Sequence, residues 1–421
     1  MATEIADFFK QNNLPLVGKT LVVATSGGPD SMALLAMVSA MQAKYQLKII
    51  AAHLDHQLRP DSKKEAEVIE RYCRGRQIKV INTVWPVQLH SQKGVEAAAR
   101  DFRYSFLLKV MRQEHGDYLL TAHHCDDLLE NILLKFIRSG NPSEMNSLTA
   151  VSKRQGIKLL RPLLTYNKDE LLLYDCRHQV PFVQDSTNAE DDVLRNRLRH
   201  HVVPLLKQEN PLIGHNALRY SEQMSVITTL AKRAFAAVAP PEQCLGFAYR
   251  QSQAALATFS DQEQIVYWQN FIWQTWHVRV NENLAGFELI NYQKYWYIMP
   301  VKLPPRPQAT TVKLNVEFNW GTRRLLVSQT YQAAGQLVGQ FKAQLDTQLL
   351  AHSLPQGAKL LLKNGHHVKS KKKFAQNGIP VILRPYCLTL IANKQVLFVE
   401  NAYSYQETGF NADQYYVYNI K

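Results

Sequence analysis

The side chains best suited to chemistry here are acidic and lie in two places. Asp30 sits in a glycine-rich turn, and Asp126, Asp127 and Glu130 open a predicted helix. Asp127 and Glu130 are three residues apart and share a helix face, so their hard oxygens could hold Mg²⁺ on phosphate groups. Acidic residues at a helix start also serve simply as caps that favour its dipole. Asp30, Asp127 and Glu130, with His53 and His123 behind them, are equally the candidates for general acid–base work. Arg100, one turn from Glu96 on another predicted helix, could neutralise a departing anion, although such an i,i+4 pair is often only a solvated helix face.

These residues need elements to place them. Leu21, Val22 and Val23 form the apolar run of a buried parallel strand, and Ser26, Gly27, Gly28, Pro29, Asp30 and Ser31 follow at once. The glycines permit a tight turn and close backbone approach, and Met32, Leu34, Leu35 and Val38 give the next helix an apolar face. Ser31 or Asp30 is expected to cap that helix, whose N-terminal amides then point at the turn. The arrangement predicts phosphate binding by Ser26 through Ser31. It is neither the Walker pattern, which needs a lysine, nor G-x-G-x-x-G. A second strand, Lys48 to Ala52, ends at His53, and a third, Asp117 to His124, runs into the acidic helix. In open parallel sheets ligands collect at the carboxyl ends of strands, so these polar ends are expected to line one crevice.

The order of motifs is more specific than any one of them. SGGPDS (26–31) resembles the pyrophosphate loop of the ATP-pyrophosphatase superfamily, whose members split ATP between its α- and β-phosphates. With HLDHQLR (53–59), GVEAAARDFRY (94–104), TAHHCDDLLEN (121–131), RPLL (161–164), DSTN (185–188) and RNRLR (195–199), the first half of the chain resembles the tRNA(Ile)-lysidine synthetase family. The resemblance implies ATP and Mg²⁺ as cofactors, and CAU-anticodon tRNA(Ile) and free L-lysine as partners. The wobble cytidine is adenylated at its C2 oxygen, and the lysine ε-amine then displaces AMP. It places Asp30, Arg100, Asp127, Glu130 and Arg195 at functional positions. Ser26 to Ser31, His53 and Arg195 are assigned to ATP, Asp127 and Glu130 to the metal, and His123, Asp126 and Arg199 to substrate. The stretch KSKKKFAQNGIPVILRP (369–385), with Lys371, Lys372, Lys373 and Arg384, resembles the family's C-terminal domain, which grips the acceptor end of the tRNA. A homodimer stays open as an assembly. The chain departs from the family at Cys125, where a small apolar residue is usual, at Asn131 in place of threonine, and over Ser139 to Pro142. Two rival readings are a tRNA thiolase of the same superfamily and a non-catalytic tRNA-binding relative.

Composition agrees with a polyanionic partner. Among 421 residues, 49 Lys and Arg against 35 Asp and Glu give a formal charge of +14. No acidic residue occurs from Thr347 to Val399, where eight Lys and Arg lie among strand-like apolar runs, so a folded basic surface is expected. The length predicts several domains. The expected divisions are a parallel, doubly wound α/β domain over 1–207, of the adenine nucleotide alpha-hydrolase-like kind, a mainly helical middle domain over 208–303 and a small α+β domain over 308–421. Neither a signal peptide nor a long apolar run is evident, which predicts a cytoplasmic protein without a membrane span. Five scattered cysteines, Cys73, Cys125, Cys176, Cys244 and Cys387, argue against a disulfide framework, a zinc ribbon or an iron–sulfur cluster.

Overall fold

The structure, a computed structural model, describes residues 2–57, 63–86, 88, 95–183, 193–331, 335–345, 348–355, 357–407 and 412–420. The motif residues Leu58, Arg59, Gly94 and Asp185 to Asn188, and the side chain of Glu96, lie outside the described residues. Two compact units result, Met1–Ala231 and Lys232–Lys421. Among the described residues no helix is long and apolar enough to cross a membrane.

The first unit runs α1 (Ala2–Gln11), β1 (Thr20–Thr25), α2 (Pro29–Ser39), α3 (Gln42–Tyr45), β2 (Lys48–Asp55), α4 (Lys63–Arg74), β3 (Lys79–Val84), α5 (Val95–Gln113) and β4 (Tyr118–Leu120). It continues with α6 (Cys125–Arg138), α7 (Pro142–Met145), β5 (Val151–Arg154), β6 (Ile157–Leu160), α8 (Lys168–His178), α9 (Leu194–Arg197), a π-helical turn (Leu198–Val202), α10 (Val203–Glu209) and α11 (Ile213–Ala236). Its sheet has the order β3-β2-β1-β4-β6-β5, parallel except for β5 at one edge. Side chains alternate across each strand. Leu21, Val23, Ile49, Ala51 and Leu120 therefore face one core with α1, α2, α4 and α8. Val22, Ile50 and Leu119 face a second core with Tyr104, Leu107 and Met111 of α5. Helices on both faces make the sheet doubly wound. The chain leaves β1 toward β2 on one side and later returns to β4 on the other, so the strand order reverses between β1 and β4. At such a reversal the flanking helices part and leave a crevice above the strand ends.

Two boundaries differ from expectation. α2 begins at Pro29 with Gly28 as N-cap and no capping side chain. Proline, with its φ already helical and no N–H to satisfy, starts the helix before Asp30 or Ser31 can cap it. β4 stops at Leu120, so Thr121 to His124 form an extended approach to α6 rather than the end of a strand.

In the second unit, β7 (Glu242–Cys244), β8 (Ala248–Ser252), β9 (Phe287–Tyr292) and β10 (Tyr295–Pro300) make an antiparallel sheet of order β7-β8-β10-β9. The middle segment is therefore mixed helix and sheet rather than mainly helical. Leu256 and Ile298 pack with Tyr267, Trp268 and Ile272, which belong to a helix spanning Asp261–Trp276. The other side of this sheet shares a core with later residues, Tyr297 and Met299 meeting Leu360, Phe374, Leu383 and Tyr386. Strands beyond residue 309 form a five-stranded and a four-stranded sheet around Trp320, Leu325, Phe341, Leu390 and Val417, and a two-stranded sheet of Lys359–Leu361 with His367–Lys369. Arg323 clasps Glu400 through two hydrogen bonds of 2.6 and 2.8 Å, and Glu400 also accepts the Leu388 N–H.

One group in the first unit stands against the stability of its core. Asp175 on α8 is wholly buried, and neither carboxyl oxygen has a hydrogen-bond partner among the described residues. Burial, and then the charge of Asp30, push its pKa from 3.8 up to about 7. Folding therefore retains a proton that the unfolded chain releases. The cost is absent below the unfolded value, grows as pH rises toward 7 and is complete above it. Asp175→Asn should gain stability over the parent by about 2 kcal/mol more at about pH 8.5 than at about pH 5.5, read by denaturant unfolding. A pH-independent difference would refute the buried acid.

Candidate active site

The crevice between the ends of β1 and β4 begins with the turn after Thr25. Gly27 has φ +76°, and a Cβ there would come within 2.9 Å of Glu65 Cβ and 3.0 Å of its Cα. Both the left-handed backbone and the close approach of α4 demand glycine. Ser31 holds the turn from inside. Its hydroxyl donates to the Gly28 carbonyl (3.0 Å), accepts the Ser26 N–H (3.1 Å) and lies 3.2 Å from the Ser26 hydroxyl. The Gly27 carbonyl accepts the Val183 N–H, which ties the turn to the chain beyond α8. The first turn of α2 opens onto this loop with its amides exposed to a ligand. His53, at the end of β2, is 1% exposed; Nδ1 lies 3.0 Å from the Thr25 carbonyl, and Nε2 has no partner among the described residues. Burial lowers its pKa, so the ring is neutral at neutral pH.

The opposite wall is the start of α6. The Asp127 carboxylate accepts the His124 N–H at 3.2 Å and so caps the helix it belongs to. Its other oxygen receives Arg195 Nη2 (3.1 Å) and Arg199 Nη2 (3.0 Å). Glu130, with a side chain only 2% exposed, accepts Arg195 Nε (3.0 Å), Arg199 Nε (2.6 Å) and Arg199 Nη2 (3.0 Å). Arg195 comes from α9 and Arg199 from the π-helical turn. Four residues apart on one continuous helical path, they present the same face and grip the same two carboxylates. π-Helical turns recur at functional positions.

The charges follow from this packing. Burial opposes ionisation of Asp127, but His124, His123, Arg195 and Arg199 outweigh it and hold the carboxyl well below the usual range. Asp30 goes the other way. Burial raises its pKa, and its Oδ1 is without a partner among the described residues. His123 contacts the Thr121 hydroxyl at 2.9 Å. Burial, with Arg161, Arg195 and Arg100 nearby, takes its pKa down to about 3 against the pull of Asp127, which leaves a neutral imidazole. Arg100 is exposed on α5, its guanidinium 5.5 Å from the Tyr104 ring centroid.

The fold thus draws Ser26 to Ser31, His53, Arg100, His123, Asp127, Glu130, Arg195 and Arg199 to one strand edge. Two expected residues face elsewhere. Asp126 turns to the helices behind, accepting Lys207 Nζ at 2.8 Å and the Lys168 N–H at 3.1 Å. Arg384, in the second unit, is half-buried, donating to the Ile379 carbonyl and to Tyr292 Oη. Lys371 and Lys372 are exposed on a short helix, Ser370–Gln376, and Lys373 is half-buried. The residue that sequence reasoning passed over is His124, 3% exposed and within 4 Å of carboxylates on both walls. The signal was the pair of adjacent histidines, of which only His123 was singled out.

A glycine turn at a topological reversal, facing carboxylates backed by arginines, defines an α/β nucleotide-binding protein of the PP-loop class. The family model described as the PP-loop domain matches residues 1–206. The tRNA(Ile)-lysidine synthase of Lactobacillus johnsonii is 43% identical over 99% of each chain. That of Lactiplantibacillus plantarum is 29% identical over 93% of each. Among solved structures the chain is similar to the U34-tRNA thiolase NcsA from Methanococcus maripaludis, with 15% identity, 53% of this chain and 78% of that one covered, and a TM-score of 0.45. The chain belongs to the tRNA(Ile)-lysidine synthase family, a family of ATP-using ligases.

Cys125 carries the chain's departure from the family pattern, and the structure shows what surrounds it. It is wholly buried, and burial pushes its thiol up to about 12. A Cβ on Gly214 of α11 would lie 2.6 Å from its Sγ, so the glycine lets α11 rest on the sulfur. Gly214→Ala should cost about 1–3 kcal/mol, most of it recovered in the Gly214→Ala/Cys125→Ala double variant, measured as a double-mutant cycle in urea. In the folded protein iodoacetamide should modify exposed Cys176 and spare Cys125, as read by peptide mass spectrometry. Rapid native alkylation of Cys125 would contradict this packing.

Proposed function

We propose that this site joins free L-lysine to C2 of the wobble cytidine of CAU-anticodon tRNA(Ile) through an adenylated intermediate. The observation that carries the reading is the meeting, at one strand edge, of a phosphate turn with an arginine-backed carboxylate wall. ATP lies with its β- and γ-phosphates over Ser26 to Ser31 and the first amides of α2. The cytidine O2 attacks the α-phosphorus, the bond to the bridging oxygen breaks, and pyrophosphate leaves toward Arg100 and the exposed edges of Arg195 and Arg199. Fixed donors placed where negative charge develops stabilise that departure without reorganising. The lysine ε-nitrogen then attacks C2, and AMP departs with its electron pair.

An ammonium with an ordinary pKa near ~10.4 must lose a proton before it attacks. Asp127, held ionised by its neighbours, orients the ammonium, whose proton passes to solvent; His123, too weak a base in this setting to take it, stays a neutral hydrogen-bond partner. In this reading Glu130, which accepts three guanidinium hydrogen bonds, serves chiefly by holding Arg195 and Arg199 in place. Mg²⁺ fits Asp30 better, because that carboxylate stands in the first turn of the phosphate-loop helix with one oxygen unpartnered among the described residues. When bound, the ion supplies neutralisation of the phosphate charge. Asp126 acts at one remove, fixing α8 and α10 behind the site. The exposed Lys371 and Lys372 of the second unit suit tRNA phosphates. The working divisions remain a catalytic domain over 1–207, a middle domain over 208–303 and a basic domain over 308–421, the latter two binding tRNA.

Sulfur transfer is disfavoured by Cys125, whose buried thiol is not a thiolate near neutral pH. A purely binding role is disfavoured by Asp30, Asp127, Arg100 and Arg195, all present at the crevice. The deciding assay mixes the protein with ATP, Mg²⁺, labelled lysine and CAU-anticodon tRNA(Ile), with methionine tRNA of the same anticodon as control. Label should enter the first tRNA alone; labelled sulfur entering instead, or tRNA bound without AMP release, would sink the reading. Asp127→Asn should fold and lose lysine transfer by at least about 100-fold. Glu130→Gln should lose about 3–5 kcal/mol of stability as well as activity, because it strands two guanidiniums, and urea midpoints would separate the two variants.

A further inference from the structure

We propose that His124 is a positioning residue whose ring locks Asp30 of the phosphate turn against Asp127 of α6. The inference rests on the reading above, in which those two carboxylates serve one reaction. His124 Nε2 lies 3.4 Å from Asp127 Oδ2 and 3.7 Å from Asp30 Oδ2. Its Nδ1 stands 3.9 Å from Asp126 Oδ2 and has no hydrogen-bond partner among the described residues. The side chain is 4% exposed, so water cannot take over the task of separating the carboxylates. Asp30 stands in the first turn of α2 and Asp127 in the first turn of α6, and their like charges repel. Lys168 and Arg199 also pull on Asp30, but the His124 ring is the only basic side chain within 4 Å of it among the described residues. A donor between the two oxygens turns a repulsive pair into a fixed one and sets the distance from the phosphates to the amine.

His124 also starts α6 as its N-cap residue, its carbonyl accepting the Leu128 N–H. The test must separate that duty from the bridge. Asparagine is among the best N-cap residues, but its amide reaches only to the place of Nδ1; glutamine reaches to the place of Nε2 and caps poorly. His124→Asn should keep the thermal midpoint while kcat for lysine incorporation falls about 10- to 100-fold, with KM for ATP and lysine held within about twofold. His124→Gln should recover much of kcat despite its weaker cap. Wild-type kcat in the Asn variant, a Gln variant no faster than Asn, or loss of folding in both would assign His124 to capping alone and overturn the proposal. A parent chain that incorporates no lysine would sink the reading of the reaction and this inference with it. A parent that incorporates lysine alongside an unaffected Asn variant would sink this inference alone.

Discussion

Four carboxylates around the phosphate turn and the start of α6 are the constraint that the first unit is built to satisfy. Asp126, Asp127 and Glu130 are buried and Asp30 is half-buried, and buried charges persist only when paired and hydrogen-bonded. The pairing is distributed. Arg195 and Arg199 serve Asp127 and Glu130, Lys207 serves Asp126, and His124 faces the remaining gap toward Asp30. The two arginines lie more than sixty residues beyond their partners, so α6 cannot assume its final electrostatic state until the helical path from α9 through the π-helical turn docks against it. Folding of the unit and assembly of the site are therefore one event.

That pairing also sorts the acids by strength. Asp127, surrounded by histidines and guanidiniums, stays ionised, whereas for Asp30 burial outweighs the nearby basic groups and its pKa is raised. Two carboxyls separated in acidity by their surroundings are the usual way a site divides orienting from ligating or proton-moving duties. Asp175 belongs to the same field. The charge of Asp30 adds to burial in raising it, so an acid with no hydrogen bond of its own among the described residues sits in α8 at a cost to that helix. Strain and unpaired polar groups of this kind are commonly tolerated next to functional sites.

Much of this architecture was legible in residues 20–39. A β-branched apolar run, two glycines and an apolar helix, buried on every side from Ser31 to Val38, leave one sensible local fold, and the motif order then pointed to the family. What sequence could not supply was the partner of each charge. Glu130 next to Asp127 on a helix face reads as a pair of metal oxygens, and only the tertiary fold brings Arg195 and Arg199 onto them. The place of His124 beside His123 was hidden for a related reason. If the strand is carried through to His124, alternation turns the two rings to opposite faces. The strand instead ends at Leu120, and the extended approach to α6, with His124 as its N-cap, brings both rings to the crevice. The middle segment was expected to be mainly helical because Asp261–Trp276 and Ile213–Ala236 are long helices; its strands are short, and although β7–β8 and β9–β10 are local hairpins, the pairing of β8 with β10 that makes them one sheet joins residues far apart in the chain.

Neighbouring residues on α6 show how little sequence distance separates chemistry from scaffolding. Successive side chains on a helix diverge by about 100 degrees. At the start of α6 this sends Asp127 into the crevice and Asp126 to the helices behind, where it fixes the first turn of α8 and the side chain of α10. Cys125, one residue earlier, is sealed by Gly214 of α11. The acidic run is thus anchored from behind by α8, α10 and α11 and gripped from the front by arginines. A helix start fixed from both sides can present Asp127 to a ligand in a single orientation, and that preorganisation is what an amine-transfer site requires.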